Sequence, residues 1–190
     1  MGLLQGAAFA GAAVGVNMAR DIEQGWFDRL ILAPEKRGVL LAGMVASASV
    51  RCLMPGTFLF VVAVILGVHV QSVLGVVIAI VLVMALAAVM ACWGAAVALR
   101  FRTQQAAPLI QILGFIAVLF TTAYAPFSLL TPWLRAIAHL NPVTYVLEGV
   151  RQGFVGGVNW ADTWPAFLAI SVLLALLGGI AIRGMRRYGT

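Results

Sequence analysis

Charge is scarce in this chain. Of its 190 residues, 9% are charged and 63% are hydrophobic, where a soluble domain carries roughly a quarter charged. A soluble core of this size cannot hide so much apolar surface, but a bilayer can, because lipid replaces water around the helices. Cysteine is nearly absent. Cys52 and Cys92 both lie in apolar runs, which excludes a disulfide framework and any metal-ligand spacing and leaves two small buried hydrophobes. His69 and His139 have no carboxylate or cysteine at ligand spacing and read as surface or interface side chains. No nucleophile–base pair and no Gly-rich phosphate loop occurs, so the chain is not an enzyme and hydrolyses no nucleotide itself. The net charge of +6 is scattered, which excludes a phosphate-tracking face and hence nucleic acid. The first nineteen residues lack the basic flank of a cleavable signal peptide.

What is present is a set of uncharged runs. Met1–Ala19 is followed by a charged patch, Arg20–Arg37, and Cys52–Leu99 is uncharged throughout. The second run is too long for one crossing at about 1.5 Å per residue, so it folds back, and the polar break at His69, Gln71 and Ser72 is where it turns. Five spans result: about 2–17, 42–68, 73–98, 106–124 and 164–183. Gly2, Gly6, Gly11 and Gly15 form G-x-x-x-G pairs suited to helix packing. Gln104, Gln105 and Gln111, near Pro108, form a candidate polar seam. Basic residues mark cytoplasmic ends. They concentrate in the 20–37 loop, at Arg100 and Arg102, and at Arg183, Arg186 and Arg187. The C-terminus is then cytoplasmic and the N-terminus outside, the pattern of one membrane domain over 1–190 that lacks an upstream first helix.

Within the charged loop, Asp21 and Gln24 have capping-box spacing. Ile22, Trp26 and Leu30 recur at helical spacing, flanked by Phe27 and Ile31, and Pro34 stops the run. This predicts an amphipathic helix over 21–33, with Asp21 and Glu23 at its positive end. Physics alone leaves two roles open, an interfacial anchor or a grip for a soluble partner. Trp26–Phe27 beside Asp28–Arg29 is the composition of a protein interface.

The run Asp21, Glu23, Gly25, Asp28, Arg29, Leu30, Pro34, Arg37 resembles the signature loop of ABC-2-type permeases, especially the daunorubicin-resistance branch. The family's following acid–x–x–Arg element is only half kept: Arg51 is present, but Ala48 stands where the carboxylate is usual. Farther on, Thr131–Pro132 and Asn141–Pro142 are cap-plus-proline helix starts, predicting short helices over 132–140 and 142–153. Glu148 and Arg151 are spaced to pair on the second, and Gly153, Gly156 and Gly157 end it. Pro132, Trp133, Leu134, Asn141, Pro142, Val143 and Thr144 are similar to the family's external re-entrant hairpin.

The resemblance implies an all-α, polytopic bundle of about five transmembrane helices, with a cytoplasmic coupling helix and the external hairpin. It implies the permease subunit of an ATP-driven exporter in a bacterial inner membrane, moving a drug, polyketide, lipid or glycolipid. The partners would be an ATP-binding subunit, which carries the ATP and Mg, and a second copy or a homologous permease in the lipid bilayer. Coupling would fall to Asp21, Glu23, Gly25, Trp26, Phe27, Asp28, Arg29, Leu30, Pro34 and Arg37. The outer gate would fall to Pro132, Trp133, Asn141, Pro142, Thr144, Glu148 and Arg151, with Arg51 as a membrane-edge charge. The other role open to the same loop is a scaffold that recruits a soluble protein without transport.

Overall fold

The computed structural model describes residues 2–31, 37–68, 72–122, 131–154 and 157–188. Every regular element among them is helical. In chain order they are α1 (Gly2–Glu23), α2 (Trp26–Ile31), α3 (Arg37–Arg51), α4 (Leu53–Ile65), α5 (Val73–Phe101), a 3-10 turn (Gln104–Ala106), α6 (Ala107–Leu119), α7 (Pro132–Leu140), α8 (Pro142–Arg151) and α9 (Trp160–Arg187). Four stretches are long and apolar enough to cross a bilayer: α1, α3 with α4 taken together, α5 and α9.

Helix α5 is the axis of the bundle, and α1, α3, α8 and α9 all pack against it. It starts where the Ser72 hydroxyl accepts the Gly75 N–H, an N-cap. The tightest seam is with α1. A Cβ on Gly15 would collide with the Gly94 backbone, and one on Gly94 would lie 2.8 Å from Gly15 Cα. Gly11 meets Ala87 and Met90 in the same way. The Gly11–Gly15 pair is thus a packing motif in which missing side chains let two backbones touch. Around it Leu4, Ala7, Ala8, Leu82, Leu86 and Ala87 form the main core.

Several expectations are corrected. The span expected over 106–124 is, among the described residues, a helix only over Ala107–Leu119. Its 13 residues give about 20 Å, short of a hydrocarbon core of about 30 Å. It ends as Phe120 leaves helical geometry and the Thr121 hydroxyl bonds back to the Val118 carbonyl. The helix expected over 21–33 begins only at Trp26, because α1 runs on through Asp21 and Glu23. Both acids therefore sit at a helix C-terminus, not at a positive end. Gly25, at φ 74, makes the left-handed turn that stops α1. Pro34 lies outside the described residues, as do His69 and Gln71.

Arg51, expected at a membrane edge, is the central residue of the apolar Arg37–Ile65 stretch. Helix α8 ends at Arg151, two residues before the expected limit. Gly153 does not cap it but packs on Gly75, where a Cβ would lie 3.0 Å from that backbone. Gly156 is outside the described residues.

The seam gives a direct test. Gly15→Val forces backbone against backbone and should destabilise the bundle by about 1–3 kcal/mol, the usual cost of overpacking. Gly179→Ala, where nothing lies within 4 Å, should be neutral. Thermal unfolding of the two variants in one detergent checks this; equal midpoints would contradict the seam.

Candidate functional site at the arginine-rich end

The C-terminal ends of α1, α5 and α9 and the start of α3 gather at one end of the bundle. Arg20, Arg29, Arg37, Arg100, Arg102, Arg183, Arg186 and Arg187 lie on these ends or on α2 between them. The first thing the geometry needs is closure of open helix ends, whose last carbonyls have no partner within their own helix. Arg37, from α3, donates through one nitrogen to the carbonyls of Met185, Arg186 and Tyr188, at 3.2, 2.9 and 2.9 Å. A cation at the negative end of α9 also complements the helix dipole. Glu23, at the end of α1, accepts the Gln104 N–H at 2.8 Å and so ties α1 to the 3-10 turn that leads into α6.

Helix α2 lies across this end with two unlike faces. Phe27 is 1% exposed and sits in a cluster with Met18, Ile22, Leu41, Leu99 and Met185. Its ring meets Tyr188 edge-on, with centroids 5.2 Å apart at 88°, a favoured aromatic geometry. The Tyr188 hydroxyl donates to Asp28 Oδ1 at 3.1 Å. Above the same ring the Arg102 guanidinium lies 4.4 Å from the centroid, a cation–π contact. Arg102 closes α5 at φ 56, unusual for a residue other than glycine. The other face is open. Trp26 is 63% exposed, Leu30 and Arg29 are exposed, and Arg29 sits 5.5 Å from the Trp26 ring.

The amphipathic stripe expected along Ile22, Trp26 and Leu30 is therefore corrected. Ile22 belongs to α1, and the buried residue of α2 is Phe27. The turn at Gly25 breaks the phase that the stripe assumed. Tyr188 was not singled out from the sequence; an aromatic hydroxyl just after an arginine-rich helix end was the only signal for it. Its pKa is raised, first by burial, then by the hydrogen bond to Asp28 and by that carboxylate's charge, with Arg102 opposing. It stays a phenol, and hence a donor, at neutral pH.

Asp21 does not join this cluster. It faces a groove of about 450 Å3 between α1 and α3 that also holds Asn17, Arg20, Gln24, Ser47 and Arg51. Arg51 makes no ion pair with a described residue. Ala48, one turn earlier, is fully buried against Val14 and Ala91, a place where a carboxylate would have to be desolvated.

At the opposite end, α7 and α8 form the expected helical pair. Asn141 accepts the Val143 N–H at 3.0 Å and donates to the Ala117 and Phe120 carbonyls at 2.6 and 3.2 Å. It caps α8 and closes α6 with one side chain. Thr131 makes no side-chain cap. Glu148 and Arg151 pair at 3.1 Å, and both bond Thr122. Pro132 and Trp133 are exposed, while Thr144 is buried with no partner for its hydroxyl. Also absent from the sequence reading was Gln152, which accepts from the Thr163 hydroxyl and the Asn159 N–H and so fixes α8 to the start of α9.

The family described as ABC-2 type transporter matches residues 1–155, and the chain belongs to that family. It is similar to the putative transport permease ycf38 of Pyropia yezoensis, 45% identical over 60 residues, which cover 28% of this chain and 20% of that protein. It is also similar to the putative transport permease ycf38 of Porphyra purpurea, 36% identical over 55 residues, covering 29% and 19%. The chain spans about a fifth of the length of the curated relatives it matches. No solved structure matches it. Family membership and four apolar helices of crossing length together describe a multi-pass membrane transport protein.

The Tyr188 bond yields a pH prediction. Because its folded pKa is raised, its contribution is full below the ordinary tyrosine value of about 10 and is lost as pH rises through the higher folded value. Tyr188→Phe should cost about 1 kcal/mol at neutral pH and remove that alkaline step. Hydrogen exchange of the α2 amides between pH 8 and 11 in both proteins measures it. An alkaline step of equal size in the variant would show that another group causes it.

Proposed function

We propose that this chain is the membrane-spanning permease subunit of an ATP-driven ABC exporter, and that α2 is its coupling element. The observation that carries the reading is the two-faced α2. Phe27 and Asp28 fasten it to the ends of α5 and α9, while Trp26, Arg29 and Leu30 stay open. A push on the open face then reaches two crossing helices through packed side chains rather than through a loose loop. The exposed set, a tryptophan with an arginine beside it, has the composition of a protein-interface anchor.

In this reading an ATP-binding subunit holds ATP and Mg and seats against α2. A second copy, or a homologous permease, completes the path. The arginine-rich end, with the C-terminus, faces the cytoplasm of a bacterial inner membrane, in keeping with the positive-inside rule. The α7–α8 pair forms the outer gate, with Asn141 and the Glu148–Arg151 pair as its fixed points. The cargo is hydrophobic or amphipathic, as in the daunorubicin-resistance branch that the loop resembles. Arg37 acts indirectly, holding the end of α9 against which α2 rests.

The faces of α2 separate the steps. Trp26→Ala should weaken co-purification of the ATP-binding subunit by about thirtyfold, the scale of an interface hot spot, and leave the bundle's melting point unchanged. Asp28→Arg should keep the partner bound but uncouple ATP hydrolysis from transport in proteoliposomes. Full transport by both variants would sink the coupling role. Partner binding through Trp26 with no transport of any apolar cargo by the unmodified protein would establish the scaffold reading instead.

A further inference from the structure

We infer that the groove between α1 and α3 binds the anionic head of an amphipathic molecule, and that the cargo of the pathway proposed above therefore carries an acidic group. The cargo's acidity rests on the export reading; binding in the groove does not. The groove measures about 450 Å3, and its polar lining is Asn17, Arg20, Asp21, Gln24, Ser47 and Arg51. Among the described residues, no hydrogen bond or ion pair engages any of these six side chains. Polar groups elsewhere in the bundle, such as Glu23, Arg37 and Asn141, are tied to other elements.

Two ordinary causes fall short. Basic residues mark the cytoplasmic ends of helices, which accounts for Arg20 near the end of α1 but not for Arg51. Arg51 stands fourteen residues from either end of the apolar Arg37–Ile65 stretch, about 21 Å at the helical rise, too far for one side chain to snorkel out. Pairing with Asp21 is the other cause. No such pair forms among the described residues, and the groove holds two guanidinium groups to one carboxylate. An ionisable group within an apolar stretch is costly and marks a place where a polar species is held or passed.

The lining selects the ligand. Guanidinium groups bind carboxylate or phosphate oxygens through paired N–H donors, and the Asn17 amide and Ser47 hydroxyl can donate beside them. Asp21 lies one turn nearer the end of α1 than Asn17, so an anion seated by Arg51, Asn17 and Ser47 stands away from that carboxylate. Beyond Asn17 the same face of α1 continues, four residues at a time, as Ala13 and Phe9, both exposed. Beyond Arg51, Met54 and Phe58 are exposed on α4. A head held at Arg51 leaves an apolar body to lie along these faces. An inorganic anion would use none of that surface.

The test uses the full chain with its ATP-binding subunit, in neutral detergent and then in proteoliposomes. The probes are a fluorescent fatty acid and the matching alcohol and trimethylammonium, alike except for the head, with binding read by fluorescence anisotropy. The acid should bind most tightly. Arg51→Gln should weaken its binding by about tenfold, the scale of a hydrogen bond to a charged group, and leave the alcohol unchanged. Arg51→Lys should weaken it less, and Arg100→Gln, outside the groove, not at all. Asp21→Asn should tighten the acid by about twofold, the scale of an exposed charge pair, a gain that no misfolded variant would give. Equal binding of acid and alcohol, or an unchanged acid in Arg51→Gln, would overturn the inference. So would weaker acid binding with a lower unfolding midpoint in Asp21→Asn, which would make Asp21 the arginine's structural counter-charge. In proteoliposomes ATP should drive export of the acid. Export of the alcohol but not of the acid would overturn the cargo assignment and leave the groove to a resident anionic lipid. Export of no probe, with Arg51-dependent binding intact, would overturn the export reading and leave the site standing.

Discussion

The contact between α1 and α5 at Gly15 and Gly94 is the constraint on which the other placements depend. In lipid the apolar side chains gain little by meeting one another, since acyl chains are equally apolar; close packing decides which helices associate. A seam with no side chain on either helix is the closest packing available. It fixes the register of α1 on α5. That register brings Met18 and Ile22 level with Ala95, Ala98 and Leu99, and so creates the apolar floor that receives Phe27. Shift the seam by one turn and Phe27 has no pocket, Tyr188 has no ring to meet, and Glu23 no longer reaches Gln104.

The second constraint is that helix ends must be closed where they meet the bilayer surface. Beside local caps such as Ser72 and Asn159, the chain does this with side chains that reach across from other elements. Arg37 closes α9 from α3, Glu23 meets the 3-10 turn from α1, and Asn141 closes α6 while starting α8. Each such bond joins elements far apart in sequence, so closure of ends and tertiary organisation are one set of interactions. The Arg37 and Glu23 bonds are charge-assisted, roughly twice as strong as neutral ones, which suits a bundle with few other polar contacts.

How much of this was legible in the sequence follows from the range of the interactions. Helix starts at Pro132 and Pro142 and the Glu148–Arg151 pair are local, and all three stand as read. Crossing helices α3–α4, α5 and α9 follow from uncharged length, with ends misplaced by a few residues because basic side chains continue a helix beyond its apolar part. The errors lie where tertiary contact overrides pattern. Trp26 is the better hydrophobe by size, yet the turn at Gly25 directs Phe27 inward. Tyr188 and Arg102 depend on residues up to 160 positions away, and no local spacing encodes that. Ala48 illustrates the converse: its departure from the family pattern was visible, and the buried seam beside Val14 supplies the reason.

Arg51 shows how the two constraints meet. It occupies the midpoint of the apolar Arg37–Ile65 stretch, an unfavourable setting for a charge. Pro55, four residues on, has no N–H to give the Arg51 carbonyl, so charge and open carbonyl coincide where α3 gives way to α4 at Cys52. Side chains on a helix lean toward its N-terminus, which on α3 is the arginine-rich end. The guanidinium therefore reaches back into the groove with Asn17, Asp21 and Ser47, the polar shelter that such a group requires in a membrane. Asp21, displaced from the amphipathic helix by the continuation of α1, lines the same groove. An anion placed one turn before Arg51 would enter the α1–α3–α5 seam beside Val14 and Ala91; on α1, Asp21 lines the open groove instead and leaves the seam dry.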